Sequence, residues 1–189
     1  MAFIVIDGLD ASGKDTQAFR LARFFNKRGK TVCLRFHPSG DNFFGVKAKQ
    51  FLHSKGKNAH FASALFYMLD VIRSILLYKW QKYDCVIFVR YLMGTAYLPS
   101  PLHRLAYHFF VLFVPKSNAM FFLDVAPEEA CRRIREARRE QEMFEDITKL
   151  RRVRVKALSL ALVGKWTIVD AGKPVEEVER QIQKLVLST

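Results

Sequence analysis

F-I-V-I-D-G-L-D-A-S-G-K-D-T, residues 3–16, is the stretch on which the fold turns. Phe3 to Ile6 read as a short apolar strand, and Gly8, Gly13 and Lys14 follow at phosphate-loop spacing. A helix-forming stretch runs on from Thr16, Gln17 and Ala18. That order gives the spacing its meaning. Glycines let backbone N–H groups turn inward around a phosphate, and a lysine adds a mobile positive charge. The helix that follows points its positive end at the same anion. Gly8, Leu9, Asp10, Ala11, Ser12, Gly13, Lys14, Asp15 and Thr16 are therefore the expected phosphate cradle.

One position departs from the pattern. The residue after the lysine is ordinarily Ser or Thr, whose hydroxyl ligates Mg²⁺, but here it is Asp15. Thr16 comes next, yet one step along a helix swings a side chain by about 100°, so Thr16 does not simply inherit the role. Asp15 is either a hard carboxylate ligand for Mg²⁺ or a first-turn residue favoured by the helix dipole. Both readings stay open at the level of sequence.

The 189 residues suit a single domain, 1–189, and half of them are apolar, enough for a sizeable core. A formal charge of +13 calls for anionic company: nucleotides, nucleic acid or an acidic membrane. Cys33, Cys85 and Cys131 lie far apart, with neither metal-ligand spacing nor a disulfide framework, which fits a reducing, cytoplasmic compartment. Phe3–Ile6 is too short and too close to Met1 for a cleavable signal. Ala106–Val114 is apolar but contains His108 and stops at Pro115-Lys116, so it cannot span a bilayer. No membrane partner is expected.

Strands and helices alternate along the chain. The predicted strands are Phe3–Asp7, Thr31–Arg35, Cys85–Val89, Ala119–Asp124 and Trp166–Val169. The predicted helices are roughly Asp15–Lys27, Ala59–Lys82, Pro101–Phe113, Pro127–Arg139, Ile147–Leu162 and Val175–Leu187. Short strands separated by helices predict a five-stranded parallel sheet covered on both faces, a three-layer α/β/α phosphate-loop NTPase fold. Ligands then bind at the carboxyl ends of the strands. Those ends carry Asp7 and Asp10, then Arg35 before Phe36-His37-Pro38-Ser39-Gly40, then Arg90-Tyr91, then Asp124. Asp124 belongs either to the site or to the start of the helix opening at Pro127. Arg90 is either a fork-shaped match for phosphate oxygens or a salt-bridged structural arginine.

Over nearly its whole length the chain resembles thymidylate kinases, within the nucleoside monophosphate kinase group. Residues 3–17 resemble that family's F-I-V-x-E/D-G-x-D-G-S-G-K-T-T-Q, and Phe36–Gly40 is similar to its R-E-P-G-G loop, with His37 at the acid position. L-F-Y-M-L-D, residues 65–70, stands where L-F-A-A-D-R is usual, and V-R-Y-L-M-G-T-A-Y-L, residues 89–98, resembles D-R-Y-x-x-S-x-x-A-Y-Q. L-D-V-A-P-E-E-A from Leu123 through M-F-E at 143–145, and the closing W-T-I-V-D-A-G-K-P-V-E-E-V from Trp166, are similar to the family's remaining motifs. R-Y-L-M-G-T-A-Y-L-P is closest in wording to archaeal members.

The resemblance implies transfer of the ATP γ-phosphoryl to dTMP with Mg²⁺, giving ADP and dTDP for dTTP biosynthesis. Lys14 would hold the donor phosphates, Asp10 would meet the acceptor's sugar-phosphate end, and Arg90 would clamp the acceptor phosphate. Phe66 would stack on the base and Tyr97 would lie near the deoxyribose, with His37, Asp70 and Tyr91 completing the substrate side. A helical lid at about 135–148 would bring Arg135 and Arg139, four residues apart and hence on one helical face. A homodimer is implied too, with the helix Ala59–Lys82 as its contact surface.

The departures bear on rate and substrate. Val89 replaces an acid usually linked to the metal, Asp70 an arginine usually facing the base, and Gly94 and Leu98 a hydroxyl and an amide. Asp15 is expected to compensate for Val89 as the metal ligand, and Asp70 to shift base choice toward a base that presents a donor. Two other readings remain: a kinase for another nucleoside monophosphate, and a basic nucleotide-binding or regulatory protein without turnover. Nucleic acid is disfavoured as a partner, since no RNA-recognition signature or aromatic–basic interleaving occurs.

Overall fold

The central strand is β1 (Ala2–Gly8), and everything that positions the site hangs from its carboxyl end. In this computed structural model the described residues are 2–52, 57–77, 82–117, 119–137 and 147–188. After β1 come α1 (Lys14–Asn26), β2 (Val32–Phe36), α2 (Phe43–Leu52), α3 (Lys57–Leu77) and β3 (Cys85–Val89). A short 3₁₀ helix, Met93–Tyr97, leads to α4 (Leu102–Val111), β4 (Ala119–Asp124), α5 (Pro127–Ala137), α6 (Ile147–Val163), β5 (Thr167–Asp170) and α7 (Val175–Leu187).

The five strands form one parallel sheet in the order β2-β3-β1-β4-β5. β1 pairs with β3 on one side, Ile6 opposite Val89, and with β4 on the other, Ile6 opposite Phe121. Connections therefore leave β1 in both directions, and the crevice beyond its carboxyl end is the ligand position of an open α/β sheet.

Burial explains why the inner strands read as continuous apolar runs. Every residue of β3 is buried, as are Ile4 to Asp7 of β1, because helices cover both sheet faces. Ile4, Ile6, Ile87, Phe121 and Val169 pack with Leu21 of α1 and Val178 and Ile182 of α7. The alternate residues Val5, Val86, Phe88, Met120 and Phe122 pack with Met68 of α3, Phe110 of α4 and Leu160 of α6. The expected three-layer α/β/α arrangement is present.

Boundaries shift in places. α3 begins at Lys57, two residues before the predicted Ala59, and is described to Leu77, residues 78–81 of the predicted stretch to Lys82 lying outside the described residues; the predicted stretch to Arg139 is described only as α5, Pro127–Ala137. β2 and β5 each lie one residue later than predicted at both ends. The predicted elements include none between Gly40 and Ala59, and the structure holds α2 there. Its sequence, FFGVKAKQFL, has weak helical periodicity. The Asn42 side chain starts the helix, its Oδ1 accepting the N–H groups of Phe44 at 2.9 Å and Gly45 at 3.1 Å. Gly45 is required there, since a Cβ would lie 2.2 Å from the Ser39 carbonyl oxygen.

Candidate active site at the carboxyl ends of β1 and β3

β1 delivers the chain into a tight loop that turns back at Leu9–Ser12, where the Ser12 N–H donates to the Leu9 carbonyl at 3.2 Å. Two loop residues take left-handed backbone, Ala11 at φ +58° and Gly13 at φ +80°, so the loop N–H groups fold around one centre before α1 begins. Gly8 admits no side chain: a Cβ would stand 2.6 Å from both the Leu123 carbonyl oxygen and Ser12 Oγ. Ser12 Oγ is buried and has no hydrogen-bond partner, a polar atom of the loop left for a ligand to satisfy.

Lys14 opens α1, is 3% exposed, and donates from Nζ to the Leu9 carbonyl at 2.8 Å. Burial lowers its pKa first, and the nearby Arg90 charge lowers it further. A bound polyanion would relieve both costs. Asp15 and Thr16 diverge as the helix geometry requires. Thr16 is exposed on the outer surface, whereas Asp15 Oδ1 lies 3.5 Å from Arg90 Nη1.

Arg90 is the hub. It follows β3 in a left-handed conformation, φ +59°, a strain of about 1–2 kcal/mol for a side-chain-bearing residue. Its N–H donates back to the Ile6 carbonyl at 3.2 Å, and its guanidinium reaches over the phosphate loop. Nη2 lies 3.8 Å from Asp10 Oδ1, which is also 3.8 Å from Lys14 Nζ. Burial works against the Arg90 charge, but Asp15 and Asp10 outweigh it and hold its pKa above the ordinary value. Tyr97, at the end of the 3₁₀ helix, donates its hydroxyl to Asp10 Oδ2 at 3.0 Å. Lys14, Asp10, Asp15, Arg90 and Tyr97 thus converge from three stretches of chain: the phosphate loop with the start of α1, the end of β3 and the 3₁₀ helix.

The other predicted substrate-side residues are arranged differently. Phe66 is half-buried, its ring stacked on Phe51 with centroids 5.5 Å apart and set edge-on to Phe43. Tyr91 points into the core, with its hydroxyl donated to the Pro115 carbonyl at 2.8 Å. Asp70 is fully buried and accepts three hydrogen bonds, from the Ser39 N–H at 2.6 Å, Ser39 Oγ at 2.8 Å and Asn42 Nδ2 at 2.6 Å. His37 is also fully buried, with Nε2 3.0 Å from Ser74 Oγ. Arg35 ties the group together. It pairs bidentately with Asp41 at 2.6 and 2.8 Å and donates from Nε to Ser74 Oγ at 3.2 Å. Those bonds hold the Asp41 carboxyl far below the usual carboxylate range. Desolvation pushes the His37 pKa down to about 4, so the ring is neutral near pH 7. These side chains pin the 37–45 segment onto α3. Arg135 lies exposed on the last turn of α5, and Arg139 with most of the lid stretch 135–148 is outside the described residues.

Four further residues shape the site, and of these Arg133 was not singled out from sequence. Asp7 is buried under the loop and accepts the N–H groups of Gly8, Tyr91 and Met93 at 2.9, 2.8 and 3.0 Å. Burial raises its pKa against those three donors. It fixes the segment after β3 to the start of the phosphate loop. Arg133 of α5 donates to the Ala11 carbonyl at 3.3 Å and the Ala171 carbonyl at 2.9 Å, bridging the loop to the end of β5. The signal for it was the four-residue spacing from Glu129, which holds its Nε at 2.7 Å. Gly94 is explained by Tyr67, because a Cβ there would lie 2.9 Å from the Tyr67 ring. Asp124 is paired bidentately with Arg154 of α6, both contacts at 2.7 Å.

Among the described residues no three His, Cys, Asp or Glu side chains cluster as a preformed metal cage. A phosphate-bound Mg²⁺ keeps its waters and needs only one or two carboxylates. Asp15 and Asp10, on either side of Arg90, meet that requirement.

A family model described as thymidylate kinase matches residues 6–182. A probable thymidylate kinase of Pyrobaculum calidifontis is 30% identical over 189 residues, covering 97% of this chain and 95% of its own. One from Pyrococcus abyssi is 32% identical over 196 residues, with the same coverage. The crystal structure of thymidylate kinase from Ehrlichia chaffeensis superposes with a TM-score of 0.72 at 19% identity, covering all of this chain and 98% of the other. That likeness establishes the shared fold.

Proposed function

The chain belongs to the thymidylate kinase family and is a phosphotransferase, and from that premise we propose that it transfers the γ-phosphoryl of ATP to dTMP, giving ADP and dTDP. The observation that carries this reading is the convergence of Lys14, Arg90, Asp10 and Asp15 on one phosphate loop. Phosphoryl transfer needs charge compensation and in-line positioning more than covalent chemistry, and this group supplies the compensation.

In this proposal Lys14 and the loop N–H groups hold the donor phosphates, and Ser12 Oγ finds its partner there. Arg90 exchanges Asp10 and Asp15 for the acceptor phosphate, its left-handed backbone having aimed the guanidinium across the loop beforehand. Asp10, oriented by the Tyr97 hydroxyl, faces the sugar-phosphate end of the acceptor. The Phe66 ring, backed by Phe51, forms the stacking surface for the base. Asp70, His37 and Arg35 act through the 37–45 segment that they hold. Tyr91 contributes its backbone N–H to Asp7 in place of a side-chain contact with substrate. Arg133 braces the donor side, and Arg135 and Arg139 are the lid candidates. Asp15 would hold Mg²⁺, with Asp10 beside it, and the bound ion would supply charge compensation for the phosphates. Exposed Phe61, Leu65 and Leu76 on α3 support a homodimer through that helix, and a cytoplasmic location fits the three free cysteines.

An ADP-release assay with ATP and Mg²⁺ against dTMP, dUMP, dCMP, dGMP, UMP and AMP, with a no-acceptor blank, tests the reading. Preference for dTMP is expected. Preference for dCMP would make Asp70 a reader of the base after all, and no transfer to any acceptor would leave a nucleotide-binding protein.

A further inference from the structure

One hydroxyl is left over once the hydrogen bonds of α3 are assigned. Among its described residues, four polar side chains are buried: Ser63, Tyr67, Asp70 and Ser74. Ser63 Oγ donates to the Ala48 carbonyl at 3.0 Å, and Asp70 accepts from Ser39 and Asn42. Ser74 Oγ accepts from Arg35 Nε at 3.2 Å and lies 3.0 Å from His37 Nε2. The Tyr67 hydroxyl is buried with no hydrogen-bond partner in the chain. A phenylalanine would fill the same space without burying an unpaired hydroxyl, so packing alone does not account for it.

Its surroundings suggest a use. Tyr67 follows Phe66, and one step along the helix turns its side chain by about 100°. The ring lies against Gly94, so closely that a Cβ there would stand 2.9 Å from its Cε1 and 3.2 Å from its Cζ. Tyr67 therefore spans from α3 to the 3₁₀ helix that ends at Tyr97. In the proposed function these two elements carry the stacking surface for the base and the ring beside the sugar. The groups whose charge acts on the hydroxyl are Asp7, Arg90, Asp70 and Tyr97. Burial, then Asp7, push its pKa well above the ordinary 10, so it stays protonated and can donate as well as accept. Those neighbours are engaged elsewhere. Asp7 accepts three backbone N–H groups, Arg90 faces Asp10 and Asp15, and Tyr97 donates to Asp10.

We propose that the Tyr67 hydroxyl hydrogen-bonds the edge of the acceptor nucleotide's base while Phe66 stacks on its face, a specificity-determining role that rests on the acceptor site of the proposed function. Asp70, one turn further along α3, does not compete for the base, because its oxygens are taken up by Ser39 and Asn42. A base seated on Phe66 turns its edge inward, toward Tyr67 and Gly94. In the empty protein the hydroxyl is closed off from solvent. The move of Arg90 from Asp10 to the acceptor phosphate gives the nucleotide access to it. A pyrimidine edge offers carbonyl oxygens and a ring nitrogen, and a phenol that both donates and accepts can answer either.

Tyr67→Phe keeps the ring and deletes only the hydroxyl. Calorimetric titration with dTMP, steady-state ADP release and thermal melting of the full chain are compared with wild type. The Kd and KM for dTMP should rise about three- to tenfold, while the KM for ATP holds. The melting temperature should stay level or rise, since no internal bond is lost. Inhibition by 2-deoxyribose 5-phosphate, which has no base, should be unchanged. Unaltered dTMP affinity would overturn the proposal. So would a lowered melting temperature, which would give the hydroxyl a partner inside the free protein, such as a buried water. Equal weakening of 2-deoxyribose 5-phosphate would also overturn it, by moving the contact to the sugar-phosphate. Because calorimetry reads affinity directly, a wild-type chain that binds dTMP without transfer would end the kinase reading and leave the Tyr67 comparison standing.

Discussion

Around Lys14 the decisive contacts are local in sequence: Nζ reaches the Leu9 carbonyl five residues back and Asp10 four residues back. Around Asp70 they are remote, with Asn42 and Ser39 28 and 31 residues away and the neighbouring Arg35–Ser74 bond spanning 39. The phosphate loop is built by backbone conformation, with left-handed Ala11 and Gly13 and a helix N-terminus. The 37–45 segment is built by side chains, a buried set of charges and hydroxyls that satisfy one another. Damage should therefore separate by function: changes in the loop remove charge stabilisation, whereas changes under the 37–45 segment loosen a wall.

The largest effect is expected at the loop. Lys14→Met should lower kcat by about 10²–10³-fold with little change in thermal stability, since it removes one preorganised charge from the transferring phosphoryl group. A comparable loss of stability would mean that Lys14 supports the fold more than the chemistry. Asp15→Ala should raise the Mg²⁺ concentration needed for half-maximal activity by about 10–100-fold, leaving the melting temperature in place. An unchanged Mg²⁺ titration would sink the idea that Asp15 stands in for the acid missing at Val89.

On the other side, Asp70→Ala should cost about 3 kcal/mol of unfolding free energy, because Ser39 and Asn42 lose their acceptor and Arg35 a nearby charge. The KM for the acceptor should rise while that for ATP holds. If both rise together, the distinction between the two sides fails.

The smallest effect is a pH slope. His37 is held neutral, its pKa lowered from 6.5 to about 4 by burial, so between those values the unfolded chain binds a proton that the folded one does not. Stability should be complete above about pH 6.5 and fall with acidification toward pH 4, by up to about 1.4 kcal/mol per pH unit. His37→Gln should flatten that slope in urea titrations across the same window. A slope that survives the substitution would have to be assigned to another group.

Much of the fold was legible because apolar runs at strand length alternate with helical stretches, and all five strands were placed to within a residue or two. α2 was not legible, because its start depends on Asn42 and its course on Gly45 lying against Ser39, neither of which leaves a periodic trace. The site divided in the same way. Lys14, Asp10 and Arg90 were readable from a motif or a strand end, and the structure brings them together. Asp70 and His37 were readable only by position in a pattern, and their partners came from folding. Arg133 left no motif signal of its own, and only the packing of α5 brings it to the Ala11 carbonyl.

By itself the sequence determined the sheet order's raw material and the phosphate loop, since strand hydrophobicity, glycine torsions and the lysine after Gly13 act over a few residues. Only the tertiary structure decided three other matters: that Arg90 swings back over the loop, that Asp70 is a buried anchor, and that the Tyr67 hydroxyl is buried without a partner. A periodic pattern records which residues of a helix share a side. What that side meets depends on what packs against it, and that is a property of long-range contacts.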